Sequence, residues 1–222
     1  MRQKKLLYAG IGGAVAIATI IVILIQFPIL SDQINNNADQ SQTSSLDLDF
    51  SYEEVNSNLR ATLLSHDINM SNPLRFSSQS DIHTYCNFFS NEKRQALVKY
   101  CTSTEIRDKN RDFLGNINMV GSTRAPGLVI AALRSDPLLS NLNDVKIIFG
   151  AVINETICTC WDQVKPGGYS TVSDMINAQH DFQITGKQPT SASNTIPLGT
   201  EHFRIELTTN QQGYVWKLLV AR

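Results

Sequence analysis

Residues 144–162, DVKIIFGAVINETICTCWD, carry the reading on which the fold turns. DVKIIFGAVI and TICTCWD are two apolar runs on either side of Asn154-Glu155, a pattern that reads as a β-hairpin with a tight turn. Pairing Ile153 with Thr156 would set Cys158 opposite Ala151 and Cys160 opposite Phe149, with Ile157 and Trp161 pointing to the other side. Both faces would then be apolar, which predicts a central position in a sheet. Pro166-Gly167-Gly168 closes the segment.

Working outward, residues 171–182 carry Val172, Met175, Ile176 and Gln179 at helical spacing, and Thr171 and Asp174 are spaced to cap the helix start. A loop rich in Thr, Ser, Pro and Asn follows from Gly186 to Gly199. The chain then alternates strictly: Phe203, Ile205 and Leu207 against His202, Arg204 and Glu206, and Tyr214, Trp216, Leu218 and Val220 on the return. That predicts an amphipathic antiparallel hairpin turning between Asn210 and Gly213.

Upstream, Ser51 and Glu54 have capping-box spacing, and Tyr52, Val55, Leu59 and Leu63 predict a helix over 52–65. Glu53 and Glu54, two adjacent carboxylates, lie in its first turn, where they complement the helix dipole. DIHTYCNFF and NEKRQALVKYC read as two helical pieces broken near Ser90-Asn91. RDFLGNINMV alternates as a strand, whereas Thr123–Ser135, with a capping threonine and Pro126 in its first turn, reads as a helix. The order predicts an α+β domain with a mainly antiparallel sheet and helices packed on one side. A ferredoxin-like βαββαβ core with an added strand would satisfy it.

The first 49 residues are of other material. MRQKK, residues 1–5, precedes LLYAGIGGAVAIATIIVILI, the uncharged residues 6–25, long enough for a helix to cross roughly 30 Å of hydrocarbon. The QFPILSDQ that follows lacks the small residues of a signal-peptidase site, so the segment reads as a retained signal anchor. Arg2, Lys4 and Lys5 stand before it, and Asp32, Asp39, Asp47 and Asp49 are the only charges in residues 26–49 after it, which predicts a single-pass protein of the cell membrane. Its N-terminus is expected to be cytoplasmic and its domain, 50–222, extracytoplasmic. Gly10, Ala14 and Ala18 are spaced four apart, as in close-packed membrane-helix dimers, and would permit a homodimer. Residues 26–49 are polar and free of aromatics after Phe27, which predicts a flexible tether.

The whole chain carries a net charge of −1, and discounting the three basic and four acidic residues just named leaves 50–222 close to neutral. Such a balance lacks the basic excess of a nucleic-acid binder. No H-E-x-x-H, G-x-S-x-G or P-loop motif is present. Four cysteines, Cys86, Cys101, Cys158 and Cys160, in an extracytoplasmic domain predict two disulfides. Three connectivities are open. Cys158 to Cys160 is the least favoured of them if both lie on one strand, where i and i+2 side chains run parallel.

A sharper alternative gathers His83, Cys86, Cys158 and Cys160 into a thiol-redox or soft-metal site for zinc or copper. TICTC also resembles the T-L-x-T-C strand motif of sortases, membrane-anchored transpeptidases whose cysteine works with a histidine and an arginine. The resemblance implies Cys160 as nucleophile and an arginine close behind it, but the next arginine is Arg204, so it is not adopted. The expectation for the whole chain is a non-catalytic binding or envelope-assembly module for a protein or small-molecule partner.

Overall fold

The computed structural model describes residues 47–222. The basic tail, the expected membrane anchor with Gly10, Ala14 and Ala18, and the tether up to residue 46 lie outside the described residues. Among those described, no helix is long and apolar enough to cross a membrane.

The elements run α1 (Tyr52–Leu64), β1 (Asn69–Met70), β2 (Leu74–Phe76), α2 (Gln79–Tyr85), α3 (Glu92–Leu97), β3 (Tyr100–Arg107), β4 (Phe113–Gly121), β5 (Pro126–Ser135), α4 (Leu142–Thr156), α5 (Trp161–Val164), a 3-10 turn at Pro166–Gly168, α6 (Val172–Gly186), β6 (Thr190–Ala192), β7 (Ile196–Leu198), β8 (Glu201–Asn210) and β9 (Gly213–Ala221). One antiparallel sheet takes the order β1-β3-β4-β5-β9-β8-β6, with β2 also on β3 and β7 also on β8. The α+β class and the mainly antiparallel sheet are as expected. The order is a three-strand meander joined to a hairpin through β5 and β9, not a ferredoxin-like βαββαβ.

Alternation along the strands separates two layers. Ile117 and Met119 of β4, Val129, Ala131 and Leu133 of β5, and Trp216, Leu218 and Val220 of β9 face the main core with α1, α4 and α6. Cys101, Val120, Leu128, Ile130 and Leu219 point the opposite way, where Phe88 and Phe89 cover them. The segment holding α2 and α3 therefore packs on the second face, so helices are not confined to one side.

Several elements match the sequence reading. Ser51 caps α1 by accepting from the Glu54 amide, and Asn91 caps α3 after the break. Thr171 and Asp174 form a full capping box on α6. The closing hairpin pairs Phe203 with Val220, Ile205 with Leu218 and Leu207 with Trp216, and turns between Asn210 and Gly213.

Other elements are corrected. The stretch expected as a hairpin over 144–162 is α4, and Asn154-Glu155 lies in its last turn rather than in a turn between strands. Val145, Ile148, Phe149, Val152 and Thr156 are all buried, a stripe at three- and four-residue steps, while Ala151 and Ile153 widen it enough to imitate a strand buried on both faces. Residues 126–135, expected as a helix, form the central strand β5, with Pro126 at its first position, where no ladder amide is needed. The second piece expected as helical through Cys101 stops at Leu97, and Tyr100 and Cys101 already belong to β3. Folded structure also begins before residue 50: Leu48 is 2% exposed and donates its amide to the Pro126 carbonyl at 2.7 Å.

Candidate functional site

The four cysteines form two bridges, Cys86–Cys101 and Cys158–Cys160. The first is reachable because α2 ends at Tyr85, so Cys86 lies over the second sheet face and meets Cys101 on β3. The second joins the least favoured pair. Cys158 and Cys160 lie not on a strand but in the connection between α4 and α5, where the alpha carbons approach to 5.2 Å.

The residues proposed for a soft-metal or redox centre are not brought together. Cys86 is buried against the second face beside exposed His83, whereas Cys158 and Cys160 pack on the main core on the α4 side. Among the described residues no group of three His, Cys, Asp or Glu side chains is arranged to hold a metal ion. Cys160, the position implied as a nucleophile by the sortase resemblance, is bonded to Cys158 and stands just ahead of α5.

A site that the sequence does not announce lies between α1 and the strands β2 and β3. It is a cleft of about 440 Å³. α1 contributes Glu53, Ser57 and Arg60, β2 contributes Arg75, β3 contributes Thr102, and the turn between β4 and β5 contributes Arg124. Three guanidinium groups thus face one carboxylate on a chain whose overall charge is −1.

Each wall is fixed by contacts of its own. Arg60 donates through Nη1 to Asn72 Oδ1 at 3.1 Å and through Nη2 to the Ser71 carbonyl at 2.7 Å, which holds the β1–β2 loop against α1. Tyr52 donates its hydroxyl to the Ser122 carbonyl at 2.9 Å, and its ring meets Tyr100 edge-on with centroids 4.8 Å apart. Burial, with smaller contributions from Asp47 and Tyr100, pushes the Tyr52 phenol well above its ordinary range, so it remains a neutral donor. Arg124 reaches Asp47 at 3.5 Å and is otherwise exposed. Arg75 is exposed on the strand paired directly to Thr102.

Polar demand remains at the floor. Thr102 is 2% exposed and its hydroxyl has no hydrogen-bond partner, and the buried Nε of Arg60 has none either. Two residues along the same strand, Thr104 donates to Asn56 Oδ1 at 2.9 Å, so the side chains behind the floor are satisfied. An unpaired buried hydroxyl is destabilising by about 1–3 kcal/mol unless something supplies the bond. The cleft therefore carries two exposed guanidinium groups at its mouth above a floor with an unpaired buried hydroxyl and guanidinium N–H, a donor set suited to carboxylate or phosphate oxygens.

No sequence signal marks this site, because its arginines come from three separate segments and Thr102 sits in the unremarkable YCTSTEIR. Comparison with protein-family models, with curated proteins and with solved structures gives no match, so the functional reading rests on the residues of the cleft themselves.

Proposed function

We propose that this protein is a membrane-tethered, extracytoplasmic binding module that takes an anionic group, carboxylate or phosphate, in the cleft between α1 and β2–β3. The observation that carries the reading is the buried, unpartnered Thr102 hydroxyl beneath Arg60, Arg75 and Arg124. Hydrogen bonds from charged donors to an anion are each worth about 1.5–3 kcal/mol, enough for a small ligand to be held without a deep apolar pocket.

The placement is supported by the charge-free run at 6–25 with its basic flank, and by two disulfides, which persist in oxidising compartments. Asp47, the first described residue, reaches Arg124 at 3.5 Å, so the chain joins the described fold beside the mouth of the cleft. A protease added outside intact cells is expected to remove the folded part; its survival would place that part on the cytosolic side.

The ligand reading is tested by calorimetric titration of the full-length chain with inorganic phosphate and with citrate. Saturable binding is expected, weakened about tenfold or more in the double variant Arg75→Ala/Arg124→Ala, with an unchanged unfolding midpoint because both side chains are exposed. Heat that never saturates, or equal affinity in the double variant, would remove the cleft from consideration. A soft-metal site drawing on Cys86 is not favoured, since that sulfur is bonded to Cys101.

A further inference from the structure

The two disulfides differ in access and in what they hold. Cys86 and Cys101 are each 0% exposed, and their bond ties the α2–α3 segment to β3 across 15 positions. Cys158 and Cys160 are half-buried around an exposed Thr159 and are only 2 positions apart.

The small ring is also not the only fastener of its connection. Before it, the Ile157 and Cys158 amides both donate to the Ile153 carbonyl, at 2.9 and 3.3 Å, and finish α4. After it, Trp161 is buried in the main core and donates its indole N–H to the Tyr169 carbonyl at 3.1 Å. Both ends of the α4–α5 connection are therefore held by contacts that do not involve the sulfurs.

We propose that Cys158–Cys160 is an exchangeable disulfide that accepts two electrons from an external dithiol, while Cys86–Cys101 is permanent. A thiolate of the dithiol attacks Sγ of Cys158 or Cys160. The ring S–S bond breaks as the mixed disulfide forms, and the departing cysteine sulfur takes up a proton. The second thiol of the donor then attacks its own sulfur in the mixed disulfide, expelling the remaining cysteine as a thiol. The donor leaves as a disulfide, and Cys158 and Cys160 are left reduced with two protons gained. Access is what separates the two bridges, since exchange requires the attacking sulfur to reach the bond. This inference does not rest on the anion cleft.

The test equilibrates the full-length chain with graded ratios of reduced to oxidised dithiothreitol, alkylates free thiols and locates them by peptide mass spectrometry, with circular dichroism recorded on each sample. Cys158 and Cys160 are expected to become alkylated together at a ratio about 100-fold or more below that which opens Cys86–Cys101, with the dichroism unchanged. A parallel series with glutathione distinguishes the donors. Opening by both reagents assigns the site to thiolates in general, and opening by dithiothreitol alone assigns it to dithiols. The chain with Cys160→Ser is expected to capture oxidised glutathione on Cys158 as one stable adduct while folded. Simultaneous opening of both bridges, opening only with loss of dichroism, or a folded Cys160→Ser chain that forms no adduct would overturn the proposal.

Discussion

Thr102 and Thr104 are two residues apart on β3, point to the same side and meet opposite fates. Thr104 donates to Asn56, whose own amide donates to the Tyr52 carbonyl at 2.8 Å, so that group of side chains is closed. The Thr102 hydroxyl is buried without such a partner. Replacing it with a near-isosteric apolar residue separates a structural role from a binding one. Thr102→Val is expected to raise stability by about 1–3 kcal/mol, since it deletes an unpaired buried polar group, and to weaken phosphate binding about tenfold. Urea unfolding and calorimetric titration of the same variant read the two effects. Stability that falls together with affinity would mean that the hydroxyl has a protein partner instead.

Among the elements, α2 and α3 depend most on a covalent tie. They are 7 and 6 residues long, and α2 buries only Ile82 while α3 buries nothing. Helices that short do not persist on their own hydrogen bonds, so the Cys86–Cys101 bridge fixes the segment that shields Leu128, Ile130 and Leu219. Closing a loop of this size stabilises by about 3 kcal/mol, against about 1.6 kcal/mol for the ring at Cys158–Cys160. The double variant Cys86→Ser/Cys101→Ser is therefore expected to lower the urea midpoint by roughly twice as much as Cys158→Ser/Cys160→Ser. Equal shifts would show that the α2–α3 segment is held by packing alone.

Elements whose apolar residues alternate with other types or fall in a helical stripe were legible in the sequence, as in α1, α6, β4 and the β8–β9 hairpin. α4 and β5 were not. β5 is buried on both faces, and α4 carries enough apolar residues around its stripe that length decides better than period. Fifteen residues from Leu142 to Thr156 exceed an ordinary strand, a signal outweighed by the resemblance of Asn154-Glu155 to a turn. The cleft was illegible for a different reason: proximity of Arg60, Arg75, Arg124 and Thr102 is created by tertiary packing and leaves no spacing to find.

At the scale of the whole molecule, acid acts on carboxylates that folding keeps ionised. The Asp136 carboxylate lies below the ordinary aspartate range, first through the Ser140 hydroxyl and then through the backbone amides of Leu138, Ser140 and Leu139. Asp49 is lowered chiefly by its hydrogen bond from Arg222. Groups depressed in this way contribute stability that is present above the unfolded-state pKa and is lost as pH falls through the folded one. The urea midpoint is accordingly expected to fall below about pH 4, with a shallower fall in Asp136→Asn. Asp144 shifts the other way, raised mainly by burial, and offsets part of the loss. A profile in Asp136→Asn as steep as that of the unaltered chain would remove Asp136 from this account.

Arg222 donates to the Asp47 carbonyl at 3.0 Å and is paired with Asp49, so the first described residues and the residue after β9 share one corner of the sheet. Leu48 is fastened there to the start of β5, the strand beside β9. Tension applied between these two points would load the rungs at that corner one after another, as a zip is drawn, instead of shearing the ladder along its whole length. The sheet would give way gradually under a pull directed through these two points, however stable it is in still solution.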